Sequence, residues 1–152
     1  MLRIRAAEAA DLSRIETMLS DNGLPTDGVA ENLATFLVAE TGGQLAGAIG
    51  MELFGKSALL RSAVVAAGAR ANGVGGRLVT HLLERARELG VRDVYLLTET
   101  AEDYFPRFGF QRTERASIPD SVKHSVEFRT CCCASAAAMH LRLNATSGGS
   151  RA

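Results

Sequence analysis

The sequence predicts an α+β fold built on a mostly antiparallel sheet, and three observations carry that reading. Residues 36–54 pattern as two strands around a glycine turn, residues 58–65 form an apolar central strand, and an amphipathic helix starts at residue 73. Length agrees, since 152 residues at about 150 per domain give one core and no second domain. A single domain is expected over residues 1–145, with a small polar tail at 146–152.

In chain order, residues 2–5 alternate apolar and polar side chains as a short strand does. Residues 6–20 come next as a helix, with Asp11 as N-cap before Leu12, Ile15, Met18 and Leu19 at helical spacing. Asn22-Gly23 and Pro25 end it, and residues 29–33 fit a second short helix. Residues 36–40 and 45–54 are strands joined by Thr41-Gly42-Gly43-Gln44, whose glycines supply the positive φ of a tight hairpin. Residues 58–65 are apolar apart from Arg61 and Ser62, as expected of a strand covered on both faces. From Gly73 the period becomes helical, with Leu78, Val79, Leu82, Leu83, Ala86 and Leu89 in one stripe and Gly90 at C′. Residues 94–97 are expected as a strand, 101–108 as a helix despite Pro106, and 119–128 as another helix. Gly109-Phe110 starts a further strand, and residues 136–143 should close the sheet.

Composition removes several classes of function. Hydrophobic residues at 47% and charged residues at 22% exclude general disorder. The 17 basic side chains balance the 17 acidic ones, so no net field favours nucleic acid or an anionic membrane, and any anion site must be local. No apolar run approaches the roughly 20 residues of a membrane span, and Glu8 and Asp11 fall where a signal peptide needs apolar residues. A cytoplasmic location is expected. Cys131, Cys132 and Cys133 are contiguous and odd in number, which suits buried inert thiols better than disulfides or zinc ligands. His81, His124 and His140 are scattered, so no metal is expected.

The informative segment runs from residues 58–65 through Arg70-Ala-Asn-Gly73-Val-Gly75-Gly76 into the amphipathic helix. A strand entering a glycine-rich turn that opens a helix aims several N–H groups at one point, where the helix dipole also favours negative charge. That arrangement cradles a pyrophosphate, and a Cβ on the glycines would hold the phosphate away from the amides. A Walker A loop would continue as Gly-Lys-Ser/Thr, and the dinucleotide fingerprint needs G-x-G-x-x-G spacing; neither is present.

Arg70-x-x-Gly73-x-Gly75 resembles the acetyl-CoA motif R/Q-x-x-G-x-G/A of the GNAT acetyltransferase superfamily. Ala101-Glu-Asp-Tyr104-Phe105-Pro-Arg-Phe-Gly109-Phe110 resembles its A-x-x-x-Y-x-x-x-G-F segment. The resemblance implies a mixed, mostly antiparallel sheet of about six or seven strands with helices on both faces. It also implies direct transfer of an acetyl group from acetyl-CoA, as cosubstrate, to the amine of a small molecule. Residues 36–40, 96–98 with Thr100, and 112–119 resemble the acetyltransferase domain of N-acetylglutamate synthases. Leu60-Arg61-Ser62 and residues 128–136 resemble still more the short GNAT proteins of arsenic-resistance operons. This narrower resemblance implies a glutamate-like acceptor or its phosphinic or arsinic analogue. A catalytically weak acyl-CoA-binding sensor and a protein or peptide N-acetyltransferase are the alternatives. No nucleic-acid or membrane partner is expected, and a homodimer is compatible with the sequence.

The resemblance also implies a site. Backbone groups of Ala63, Val64 and Val65 would pair with the pantetheine amides and point an N–H at the thioester oxygen. Arg70, Asn72, Gly73, Val74, Gly75, Gly76 and Arg77 would hold the pyrophosphate. Phe105 falls on the family's frequent tyrosine, the donor of a proton to the departing thiolate, and is assigned to the cofactor side. Tyr104, its neighbour, would point about 100° away around a helix and serves as acid only if the local backbone shifts. Glu52 and Glu99 are the carboxylates nearest the expected cleft and either could take a proton through water, the alternative being a solvated strand end. Arg61 reads as a bidentate clamp on a substrate carboxylate or as an ion pair with Glu52. Ser62 and Thr98 join it on the substrate side.

Overall fold

The computed structural model describes residues 2–98, with 70–72 as backbone only, 103–123 and 136–143. Its elements are β1 (Arg3–Ala6), α1 (Leu12–Asp21), β2 (Leu37–Thr41), β3 (Gln44–Phe54), β4 (Ser57–Val65) and α2 (Val74–Glu88). After these come β5 (Asp93–Thr98), β6 (Gln111–Thr113), α3 (Asp120–Lys123) and β7 (Ala137–Arg142). The strands form one sheet in the order β1-β2-β3-β4-β5-β7-β6. Every pairing is antiparallel except β4 with β5. Parallel neighbours need a long crossover, and α2 supplies it. Among the described residues no helix is long and apolar enough to cross a membrane.

The two faces of the sheet are covered by different helices because β side chains alternate. Leu78, Val79, Leu82, Leu83 and Ala86 of α2 pack with Leu37, Ile49, Met51, Leu60 and Leu96 on one face. Ile15 and Leu19 of α1 pack with Phe36, Val38, Ala48 and Val64 on the other, where Val122 of α3 joins Leu59, Tyr95 and Ile118. Each such large apolar side chain contributes about 1.5–3 kcal/mol by leaving water. The β2–β3 hairpin turns as its residues demand: Gly42 and Gly43 take φ of 58° and 79° between paired Thr41 and Gln44. Helix α2 ends in a Schellman motif, with Gly90 at φ 85°, its N–H on the Arg87 carbonyl and the N–H of buried Val91 on that of Ala86.

Four expectations need correction. Residues 29–32 are turn rather than helix and Leu33 opens a 3-10 turn, Leu33–Thr35; the Asn32 amide donates to the Gly28 carbonyl at 2.8 Å and closes the chain locally, leaving Val29 to plug the core. Around Pro106 the described chain forms a 3-10 turn, Phe105–Phe108, instead of an α-helix. Strand β7 does not end the sheet but inserts between β5 and β6. Its Ala137, Ala138 and Met139 are buried and need a neighbour on both sides, whereas short, polar β6 tolerates an edge.

The fourth correction concerns Asp11, which precedes α1 but does not cap it with its side chain. Its buried carboxylate accepts from Arg5 Nη1 and Nη2 at 2.8 and 3.0 Å, from Arg14 Nη2 at 2.7 Å and from the Glu8 N–H at 2.7 Å. The Arg5 hydrogen bonds, against the effect of burial, hold this carboxyl well below the usual carboxylate range. A depressed folded-state value gives stability that is complete above the unfolded value near 3.9 and is lost as pH falls toward the folded one. Removing the carboxylate should cost about 2 kcal/mol, so Asp11→Ala is expected to melt roughly 4–8 °C below the parent at pH 7. The gap should shrink below about pH 4. Melting curves across that range check this, and a pH-independent gap would contradict it.

Candidate functional site

Two departures from regular pairing open a cleft beside β4. Pairing of β4 with β5 runs only from Ser57↔Asp93 to Leu59↔Tyr95, although β4 continues to Val65 and β5 to Thr98. On its other side β4 carries a bulge: Arg61 pairs with Gly50 and Val64 with Ala48, so Ser62 and Ala63 oppose Ile49 alone. Ser62 lies at φ 59°, the one positive φ of a non-glycine residue among the described residues. A left-handed first residue is the G1 form of bulge, a place that glycine usually takes.

Beyond the bulge, Ala63, Val64 and Val65 line a cleft of about 830 Å³. The first turn of α2 lines it with Gly73, Gly75, Gly76 and Arg77, and the segment after β5 lines it with Tyr104, Phe105, Arg107 and Phe108. Gly73 precedes α2 at φ 73°, a backbone that a side chain would strain. A Cβ on Gly75 would stand 3.1 Å from the Tyr104 hydroxyl and 3.5 Å from Val65 Cγ2, so this glycine keeps strand, helix and tyrosine close. The first i→i−4 bond of the turn is Arg77 N–H to the Gly73 carbonyl. The amides of Val74, Gly75 and Gly76 therefore have no intrahelical acceptor, and they stand at the positive end of the helix dipole.

Charge at the cleft is one-sided. Arg77, His81 and Arg107 line it, and among the described residues no Asp or Glu does, in a chain of zero formal net charge. The Arg107 guanidinium lies 4.5 Å over the Tyr104 ring and its Nε donates to the Tyr104 carbonyl. His81 sits one turn after Arg77 and its Nδ1 is 2.7 Å from the Arg77 carbonyl. The local anion site that a neutral chain requires is thus present in outline.

The structure sorts the sequence-derived residues. Tyr104 and Phe105 both line the cleft, and the 3-10 turn separates them: the Tyr104 hydroxyl reaches the Gly75 backbone, while Phe105 is buried edge-on to Phe110. Val74 points into the core and can offer only its backbone. Arg70 and Asn72 belong to the 3-10 helix Ala67–Asn72 ahead of Gly73. Thr98 ends β5 opposite Ala137, half-buried. Glu99, Cys131 to Cys133, residues 124–128 and the tail at 146–152 lie outside the described residues.

Arg61 and Glu52 require a correction. The Arg61 side chain is fully buried; Nη1 donates to Glu52 Oε2 at 2.7 Å, Nη2 to the Asp27 carbonyl at 2.5 Å and Nε to Ser62 Oγ at 3.0 Å. Neither Arg61 nor Glu52 is among the residues lining the cleft. Arg61 sits opposite Gly50, and Glu52 lies two residues along the same face of β3, within diagonal reach. A buried guanidinium needs an anion, and Glu52 supplies it, so the substrate clamp and the free base both give way to an internal ion pair. Sequence reasoning missed Ala48, Ile49, Thr80, His81, Arg107 and Phe108 as cleft residues, and it read Leu78 and Val79, which also line the cleft, only as core. The i, i+4 spacing of Arg77 and His81 was the readable signal for one of them.

Comparison with known proteins agrees with this architecture. Residues 32–112 match the model of the acetyltransferase (GNAT) domain, and the chain belongs to that family. It is a GNAT-type acetyltransferase domain. An uncharacterized N-acetyltransferase of Chlorobaculum tepidum is 28% identical over 123 residues, covering 78% of this chain and 79% of that protein. An amino-acid acetyltransferase of Neisseria meningitidis is 24% identical over 127 residues, covering 78% of this chain. This chain spans only 29% of that relative's length. The fold matches N-acetylglutamate synthase of Neisseria gonorrhoeae, solved with coenzyme A and N-acetyl-glutamate, at a TM-score of 0.82 and 21% identity. That match covers 95% of this chain and 35% of the synthase.

Proposed function

We propose that this chain transfers the acetyl group of acetyl-CoA directly to the α-amino group of a glutamate-like amino acid or its phosphinic or arsinic analogue. The observation that carries the reading is the continuous path along the cleft from Ala63, Val64 and Val65, where β4 runs on past its register with β5, into the glycine-rich start of α2. Its strand end offers backbone groups to an extended amide-bearing chain, and its helix end offers amides and basic side chains to a pyrophosphate. The acceptor class draws its support from the relatives named above, an amino-acid acetyltransferase and an N-acetylglutamate synthase.

In this reaction the neutral amine attacks the thioester carbonyl, and a β4 N–H stabilises the oxyanion. The C–S bond then breaks, the amine proton leaves to water and the thiolate takes a proton. Tyr104 is the described cleft side chain with a phenolic proton to give. Tyr104→Phe retains the ring packed against Phe105 and Phe108 but lacks that proton. It is expected to lower kcat about 100-fold, the lower end for acid–base catalysis because a thiolate leaves readily, with the acetyl-CoA KM little changed. A kcat equal to that of the parent would remove Tyr104 from this role.

Release of free thiol from acetyl-CoA, measured across an acceptor panel, tests the reading. Glutamate and its phosphinic and arsinic analogues should outrun decarboxylated amines and peptides. Turnover confined to peptides would favour the peptide acetyltransferase, and acetyl-CoA binding without turnover of any amine would favour the sensor.

A further inference from the structure

We propose that Arg61 and Ser62 are positioning residues of the acetyl-CoA site, the Arg61 guanidinium holding Ser62 in the left-handed conformation that directs Ala63, Val64 and Val65 along the cleft. The proposal rests on acetyl-CoA being the ligand of that cleft. Ser62 occupies the bulge position that glycine would fill without strain, and a side chain there disfavours φ near 59°. Something must over-determine the conformation for it to persist. The neighbouring Arg61 does so: its Nε donates to Ser62 Oγ at 3.0 Å, closing a short ring around the strained peptide. The donor is rigid because the other two nitrogens are held by Glu52 and by the Asp27 carbonyl, with the side chain fully buried.

The strained residue sets the register of the rest of β4. With two residues of β4 opposite one of β3, Val64 resumes pairing at Ala48 and Val65 at Gly47. A regular strand would put every later side chain on the opposite face, taking Val64 out of its packing with Ile15 and Phe36. The two backbones are also too close to slip freely, since a Cβ on Gly47 would meet the Val64 carbonyl oxygen at 2.8 Å. Arg61 thereby acts on the cleft without touching it. This role differs from a carboxylate clamp, and a substitution at the neighbouring residue separates the two.

If Arg61 works by holding Ser62, glycine at position 62 makes its help unnecessary. Acetyl-CoA affinity by calorimetry needs no acceptor and is measured for the parent, Arg61→Lys, and Arg61→Lys combined with Ser62→Gly. Lysine keeps the charge for Glu52 but has no Nε–H at the required place. Arg61→Lys should weaken acetyl-CoA binding about tenfold, the equivalent of 1.4 kcal/mol of uncompensated backbone strain. Adding Ser62→Gly should recover most of that loss. Ser62→Val, with Arg61 intact, places a β-branched residue at positive φ and should weaken binding by at least as much, which keeps the test decisive if the lysine variant fails to fold. Normal binding by Arg61→Lys or by Ser62→Val, or a loss that Ser62→Gly does not recover, would overturn the proposal while leaving the acetyl-CoA reading intact. A parent protein that does not bind acetyl-CoA would overturn both.

Discussion

Glu52→Ala is expected to lower the melting temperature by roughly 6–20 °C, because it removes a carboxylate held at 2.7 Å by the fully buried Arg61 guanidinium. Stranding one member of a buried pair costs about 3–5 kcal/mol, a large fraction of the 5–15 kcal/mol that holds an ordinary domain together. Replacing both partners by apolar residues of similar length, Glu52→Leu with Arg61→Met, removes the charge and its hydration demand together. That double variant should melt closer to the parent than Glu52→Ala does. The contrast decides between two roles for the carboxylate. A catalytic base could be removed with loss of turnover and an unchanged melting curve; a counter-ion could not.

Gly75→Val should abolish the thermal stabilisation that acetyl-CoA confers. For the parent, a ligand at 100 times its Kd adds about 2.7 kcal/mol, equivalent to roughly 5–11 °C, whereas ATP and NAD should add nothing. Even the first carbon of the new side chain meets the Tyr104 hydroxyl at 3.1 Å, and the valine branches then fill the space between Val65 and the first turn of α2. Differential scanning with acetyl-CoA, CoA, ATP and NAD reads the effect. A Gly75→Val protein that still responds fully to CoA would reject the phosphate cradle.

Much of this arrangement was legible because local chemistry and tertiary demand agree. Gly42-Gly43 supplies the two positive φ values of a tight hairpin turn, and the stripe from Leu78 to Ala86 has one face to bury and buries it. Gly73 and Gly75 were readable for the same reason, since one takes a positive φ and the other meets the Tyr104 hydroxyl at close range, whereas a Cβ on Gly76 would make only ordinary contacts. What escaped the sequence was relational. Asp11 has the composition and position of a helix cap, yet two arginines compete for its carboxylate. Tyr104 could not be placed until Pro106 was seen to produce a 3-10 turn. Arg61 and Glu52 are nine positions apart and meet because the regular stretch of β3–β4 pairing registers them diagonally. The final strand could not be ordered because pairing partners, unlike periodicity, are not written along the chain.

That final strand has a consequence for the order in which the protein is made. Among the described residues, strand β6 pairs only with β7 and β5 gains its second neighbour only from β7, which is synthesised after both. While the ribosome is still adding residues 114–136, two strands already made lack the partner they will have in the finished sheet. The margin of β5 stays open during that interval, displaying backbone that can recruit a strand from another chain. The half of the sheet that carries β1 to β4 can pair as it emerges, but the half beyond β5 must wait for Ala137 to Arg142. Completion of that half of the sheet therefore follows the synthesis of Ala137 to Arg142, well after the residues that line the cleft have been made.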